Sequence, residues 1–303
     1  MSKTDQETPN TPPSLGSDLA TLVKLRLNIF VLITAFFGYF LAVKSGGVGW
    51  GGGTWILLIH TLVGTAAAAF GSSVFNQLME IKQDAQMGRT ADRPLPAQRM
   101  LPTAAFGIGW ALSAFGIIHL AVKVNIEAAY IAALTIGVYV FIYTPLKRKS
   151  SVNTLIGAIP GALPPLIGWV AGGGGLWDVG GWFLFCLLFL WQLPHFVSIN
   201  WLCRQEYEDA GYVMWSNGDV SGRYSAALAG WFSVLLGFLA LWAPLQGMSG
   251  WIFGVAGLLA GLVLAWLAFA FRRSLERTAF RRFFLLTLLY LPVVLTILAI
   301  DWN

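Results

Sequence analysis

The chain has 303 residues, of which 57% are hydrophobic and 11% charged, with 14 Trp and 21 Phe, and its mean hydropathy is +0.69. So few polar side chains cannot solvate a globular surface of this length, which excludes a soluble domain and indicates a polytopic membrane protein. The net charge of +5 does not indicate nucleic acid, because the basic residues fall in short segments between apolar runs.

Residues 1–18 are polar and Pro-rich and read as a disordered tail. They contain neither an apolar signal segment nor an Arg-rich amphipathic pattern, which points to a bacterial plasma membrane over an organelle. Residues 19–303 read as a single domain. Apolar runs recur at about 23–43, 54–75, 102–122, 126–145, 153–171, 179–200, 226–245, 250–271 and 281–300. Each approaches the ~20 residues a helix needs to cross the hydrocarbon core, so the expected fold is all-α with nine transmembrane helices. The fifth run is interrupted by Pro160, Pro164 and Pro165. Such breaks are tolerated where the backbone faces a cavity, so this run is expected to line the interior.

Of the 19 Lys and Arg, only Lys44 and Lys123 fall on one side of a nine-helix arrangement. The positive-inside rule then puts the N-terminus and the loops after the second, fourth, sixth and eighth runs in the cytoplasm. Arg272, Arg273, Arg277, Arg281 and Arg282 belong to this topology signal and suit anionic lipid. Arg26 and Asn28, at the border of the first run, are polar enough to suggest a site role. Cys186 and Cys203 lack metal-type spacing and read as small helix residues without a disulfide. His60 and His119 read as structural.

The second run ends in NQLMEIKQDAQMGRTADRPLP, residues 76–96. Asn76, Glu80 and Asp84 stand at four-residue steps, so a continuous helix carries them on one face within about 12 Å of axis. Carboxylates crowded at a membrane border call for a cation, and oxygen ligands suit Mg2+, which reaches substrates through their phosphates. Arg89 and Arg93 follow, with guanidinium forks that match phosphate oxygens. The sixth run ends in a second acidic stretch, in which Glu206, Tyr207, Glu208 and Asp209 succeed one another. Two facing acidic segments can hold a diphosphate through metal ions, with Asn76, Glu80, Asp84, Glu206 and Asp209 as metal ligands. Neutralised in this way the diphosphate becomes a leaving group, and an aromatic wall can shelter the allylic cation left behind.

These segments, together with YTPLKRKS, GAIPGALPPLIGW, WQLPHF and EYEDAGYVM, resemble the intramembrane UbiA-type prenyltransferases, and specifically their haem-modifying protohaem IX farnesyltransferase branch. The resemblance spans about residues 20–300. It implies nine helices around a central cavity, a divalent metal, farnesyl diphosphate as donor and haem B as acceptor, in a bacterial inner membrane. By position, Asn76, Glu80 and Asp84 match the first acidic motif, Arg89 and Arg93 its arginines, and Tyr143 and Lys147 the YxxxK pair, with Arg148 beside it. The second motif more often reads Asp-Tyr where this chain has Glu206-Tyr207, so either Glu206 or Asp209 can be its principal carboxylate. His195 reads as a haem ligand or orienting group, or as a histidine hydrogen-bonded within the bundle; Trp191 and Gln192 shape the acceptor pocket, or Trp191 anchors the interface. A haem-modifying or oxidase-assembly protein is the partner implied. Prenyl transfer to a small quinone precursor and a transporter remain as other readings.

Overall fold

The computed structural model describes residues 13–47 and 49–303. Residues 1–12 of the expected tail lie outside the described residues. Helix α1 (Leu15–Leu22) starts within the segment expected to be tail, its first turn capped by Ser14 Oγ accepting from Ser17 N at 3.3 Å. Asp18 is buried there and pairs with Arg99 at 2.9 Å.

The chain continues through α2 (Leu25–Ser45), α3 (Gly52–Met79), α4 (Ile81–Asp84), α5 (Pro102–Lys123) and α6 (Ile126–Gly137). A π-helical turn, Val138–Tyr143, leads from α6 into α7 (Thr144–Leu146). Then follow α8 (Asn153–Ala162), α9 (Pro164–Ala171), α10 (Val179–Leu202), α11 (Arg204–Asp209), α12 (Arg223–Ala240), α13 (Trp242–Leu245), α14 (Trp251–Ser274) and α15 (Arg277–Asp301). Among the described residues nine spans are long and apolar enough to cross a membrane: α6 to α7, α8 to α9 and α12 to α13 make one each, and the other long helices one apiece.

In lipid there is little hydrophobic drive between helices, so close packing rests on small residues. The α3–α5 contact illustrates this. A Cβ on Gly71 would lie 2.8 Å from Gly109 O, and one on Gly64 would lie 2.6 Å from Leu120 Cγ and 3.3 Å from Gly116 O. Likewise α2 and α9 meet where a Cβ on Gly38 would overlap the Pro165 carbonyl, and one on Gly168 would overlap that of Ala35. The bundle exterior is apolar, with Trp55, Ile59, Trp110 and Ile252 exposed as lipid contact requires.

The fifth span breaks at Leu163 between α8 and α9, and every residue from Pro164 to Ala171 is buried. The Pro-interrupted segment therefore does line the interior, where neighbouring helices surround its irregular backbone. His60 Nδ1 and His119 Nε2 lie 3.2 Å apart and share a hydrogen bond between α3 and α5.

Candidate active site

Asn76, on the last turn of α3, is fully buried and forms the hub of a polar network at one end of the bundle. Its Nδ2 donates to Glu80 Oε2 at 3.0 Å and to Thr144 Oγ1 at 3.0 Å. Its Oδ1 accepts from Lys24 Nζ, which also donates to Tyr139 OH at 3.3 Å. Lys147 Nζ donates to Glu80 Oε1 at 2.8 Å, and Arg93 Nη1 to Asp84 Oδ2 at 2.7 Å.

The three motif residues do not share one continuous helix. α3 ends at Met79, Glu80 leaves helical geometry with φ −110° and ψ 10°, and α4 restarts at Ile81. Both carboxylates remain inside past this break, Glu80 and Asp84 being 5% and 1% exposed. Burial acts to raise the Glu80 carboxyl, but the ammonium groups of Lys147 and Lys24 outweigh it and hold the carboxyl below its ordinary range. Burial acts to lower Lys147, but the facing Glu80 charge holds it well above its ordinary value. Lys24, buried beside the Arg93 and Lys147 charges, is brought down to about 7. Its backbone is left-handed, with φ 50°, a conformation uncommon for a residue with a Cβ and one that concentrates at functional sites.

The π-turn before Lys147 arises locally. Pro145 has no N–H to return to the carbonyl of Phe141, and the N–H of Thr144 reaches five residues back to Tyr139 O. Thr144 Oγ1 also donates to that carbonyl at 2.8 Å. The wider turn stacks Tyr139 on Tyr143, centroids 5.4 Å apart, and sets Lys147 Nζ 4.7 Å from the Tyr143 ring centre. Arg148, next in sequence, is exposed.

The second acidic segment closes over this network. Val213 N donates to Lys147 O at 2.7 Å, and Asn153 Nδ2 to Val213 O at 2.7 Å. Met87 packs with Tyr207, Ala210, Tyr212 and Met214, which joins the two acidic loops. Arg89 lies over the Tyr207 ring at 4.8 Å, with Nε 3.9 Å from Glu206 Oε2. Asp209 does not join them; it is exposed and accepts from Gln205 Nε2 at 2.9 Å on the outer face of α11. Glu206 is therefore the carboxylate that the second segment brings to Arg89.

Beneath the network lies an apolar cavity of about 460 Å³. Tyr139 and Tyr143 line its polar end, and Pro160, Gly161 and Pro164 of the broken span form one wall. Arg26, Leu27 and Phe30 line it beside α2 and are themselves exposed, so the cavity opens sideways there. Asn28 is buried, its Nδ2 donating to Ser73 Oγ at 2.9 Å. Trp191, Gln192 and His195 of α10 reach the same cavity. Gln192 Nε2 donates to Leu188 O at 3.0 Å, and Trp191 Nε1 to Thr287 O at 2.7 Å.

The carboxylates of Glu80, Asp84 and Glu206 and the amide oxygen of Asn76 make a donor set of hard oxygens, which suits Mg2+. Glu206 Oε2 is buried with no hydrogen-bond partner among the described residues. Among those residues no three His, Cys, Asp or Glu side chains converge on one point; Glu80 and Asp84 are neutralised by Lys147 and Arg93. The donor chemistry fits a hard divalent cation, with cationic side chains sharing its carboxylates.

Lys24, Tyr139, Thr144, Tyr212 and Thr287 were missed by reading the sequence. Lys24 stands there as a basic residue one turn before the polar Asn28 at a span entrance, where it reads as a topology charge.

The profile of the UbiA prenyltransferase family matches residues 31–289. A protoheme IX farnesyltransferase from Solibacter usitatus is 38% identical over 296 residues, covering 94% of this chain and 98% of that protein. One from Salinibacter ruber is 37% identical, with 94% and 98% covered. Among solved structures, digeranylgeranylglyceryl phosphate synthase superposes with a TM-score of 0.76 at 14% identity, over 94% of this chain and 97% of that one. A UbiA homologue from Archaeoglobus fulgidus bound to GPP and Mg2+ gives 0.65 at 12% identity, over 93% and 99%. The chain thus belongs to the UbiA prenyltransferase family, within its protohaem IX farnesyltransferase branch.

Proposed function

We propose that the protein transfers the farnesyl group of farnesyl diphosphate to a vinyl group of haem B, giving haem O. The observation that carries this reading is the junction at Tyr139 and Tyr143. Both rings line the apolar cavity, and both touch cationic groups of the polar network above it. A prenyl diphosphate lies naturally across such a junction, its chain in the cavity and its phosphates against Lys24, Arg89, Arg93 and Lys147. The names of the relatives supply the acceptor.

The donor C1–O bond breaks with its electron pair leaving on the diphosphate, whose growing charge the ammonium and guanidinium groups stabilise. Mg2+ held by Asn76, Glu80, Asp84 and Glu206 would add neutralisation of the same leaving group, as the magnesium-bound Archaeoglobus fulgidus homologue suggests. The faces of Tyr139 and Tyr143 shelter the allylic cation. The haem vinyl group donates its electron pair to C1, and the cation formed next to the pyrrole takes up water and releases a proton. The result is a hydroxyethylfarnesyl group, reached without a protein nucleophile. The basic loops support the reading that this mouth faces the cytoplasm, in the inner membrane of a bacterial cell.

The test is incubation of the purified protein with haem B, farnesyl diphosphate and Mg2+, followed by mass analysis of the porphyrin. The expected result is the hydroxyethylfarnesyl increment, lost with EDTA and with Asp84→Asn. Prenylation of a phenolic quinone precursor with haem left unmodified would keep the donor site and replace the acceptor.

A further inference from the structure

The hydrogen bonds around His195 determine which of its ring nitrogens is available. Thr287, fully buried on α15, has a single hydroxyl proton, and its Oγ1 lies 2.6 Å from Phe284 O, a separation two oxygens reach only with a proton between them. The same Oγ1 lies 2.9 Å from His195 Nδ1. With the hydroxyl proton already committed, Nδ1 is the donor in that contact, so the neutral ring carries its proton on Nδ1 and its lone pair on Nε2. Nε2 has no hydrogen-bond partner among the described residues, and His195 lines the cavity.

The ring plane is fixed as well. Trp191, one turn earlier on α10, stacks on it at 5.6 Å and 15°, and Phe284 stacks at 4.8 Å and 23°. Trp191 is itself held by its bond to the Thr287 carbonyl. One residue of α15 therefore sets the tautomer of His195 through its side chain and anchors the neighbouring Trp191 through its backbone.

We infer that Thr287 is a positioning residue which fixes His195 with its Nε2 lone pair open to the cavity, as an axial ligand for the iron of the porphyrin acceptor. This rests on the haem reading above. A partner that orients a ligating histidine from its other nitrogen is what metal-bound imidazoles ordinarily require. Thr287→Val keeps the shape and the backbone carbonyl that holds Trp191, and removes the acceptor for Nδ1–H together with the hydroxyl's own bond to Phe284 O.

The test is titration of the purified protein with ferric haem and, separately, with metal-free protoporphyrin IX, followed by absorption and electron paramagnetic resonance spectra. Wild type is expected to show an imidazole-ligated iron signature that His195→Ala removes. Thr287→Val should weaken ferric haem binding about 10-fold or more and alter that signature, while metal-free porphyrin binding stays within about twofold and Thr287→Ser behaves as wild type. Equal weakening of both porphyrins in Thr287→Val would make Thr287 a packing residue only and overturn the inference. So would an unaltered iron signature in a wild type and variant that both farnesylate haem. A wild type that neither binds nor modifies haem would remove the acceptor reading, and this inference with it.

Discussion

At the scale of single residues, the site is a set of buried charges whose cost is met by particular partners. Glu80 is 5% exposed and its Oε1 depends on Lys147. Removing one member of a buried pair leaves the other uncompensated, so Lys147→Met should cost about 3 kcal/mol of stability and abolish transfer. The double variant Glu80→Gln/Lys147→Met should recover most of that stability and none of the activity. Thermal melts in detergent decide it; equal melting of the single and double variants would show that the pair carries no such coupling. Asn76, Glu80 and Asp84 could be found in the sequence because polar residues at helical spacing are conspicuous beside an apolar run. Lys24 could not, because a lysine at a span entrance looks the same whether it marks orientation or, as here, reaches an asparagine on another helix. The choice between Glu206 and Asp209 stayed open for a related reason: which acid of α11 faces Arg89 depends on how that short helix docks, not on its order in the chain.

At the scale of elements, the spans are held by backbone approach at glycines as much as by side-chain volume. A Cβ on Gly71 would lie 2.7 Å from Ser113 N and 2.8 Å from Gly109 O, both on α5. Gly71→Leu should therefore separate α3 from α5 and cost about 1–3 kcal/mol by overpacking. Since α3 carries Asn76, transfer activity should fall with it, whereas the substitution Gly53→Ala, in open space at the other end of α3, should leave both melting temperature and activity unchanged. Span positions were legible because each span answers to one local requirement, enough apolar residues to cross the hydrocarbon core. The interruption at Glu80 was not, because the inward position of its carboxylate depends on a contact made from elsewhere, the ammonium of Lys147.

At the scale of the whole molecule, the two acidic loops and the Lys147 turn meet at one end of the bundle, over a cavity that opens sideways beside α2. The charge distribution supports the proposal that this end faces the cytoplasm, and single cysteines test it. In right-side-out membrane vesicles from a variant lacking Cys186 and Cys203, a cysteine at Lys123 should react with a membrane-impermeant maleimide, and one at Arg282 should not until the vesicles are opened. The reverse pattern would invert the orientation.

The sequence by itself determined the membrane class, the number of spans, the side on which charge collects and the polar residues proposed to hold a diphosphate. These follow from costs paid locally, such as apolar length against hydrocarbon thickness or a carboxylate placed at a membrane border. The tertiary structure alone decided which charges pair, that Glu206 and not Asp209 faces Arg89, that Lys24 enters the network, and that His195 Nδ1 meets the Thr287 hydroxyl. Each of these depends on groups far apart in the chain, such as His195 and Thr287, 92 residues apart, which only the packing of whole helices brings within hydrogen-bond distance.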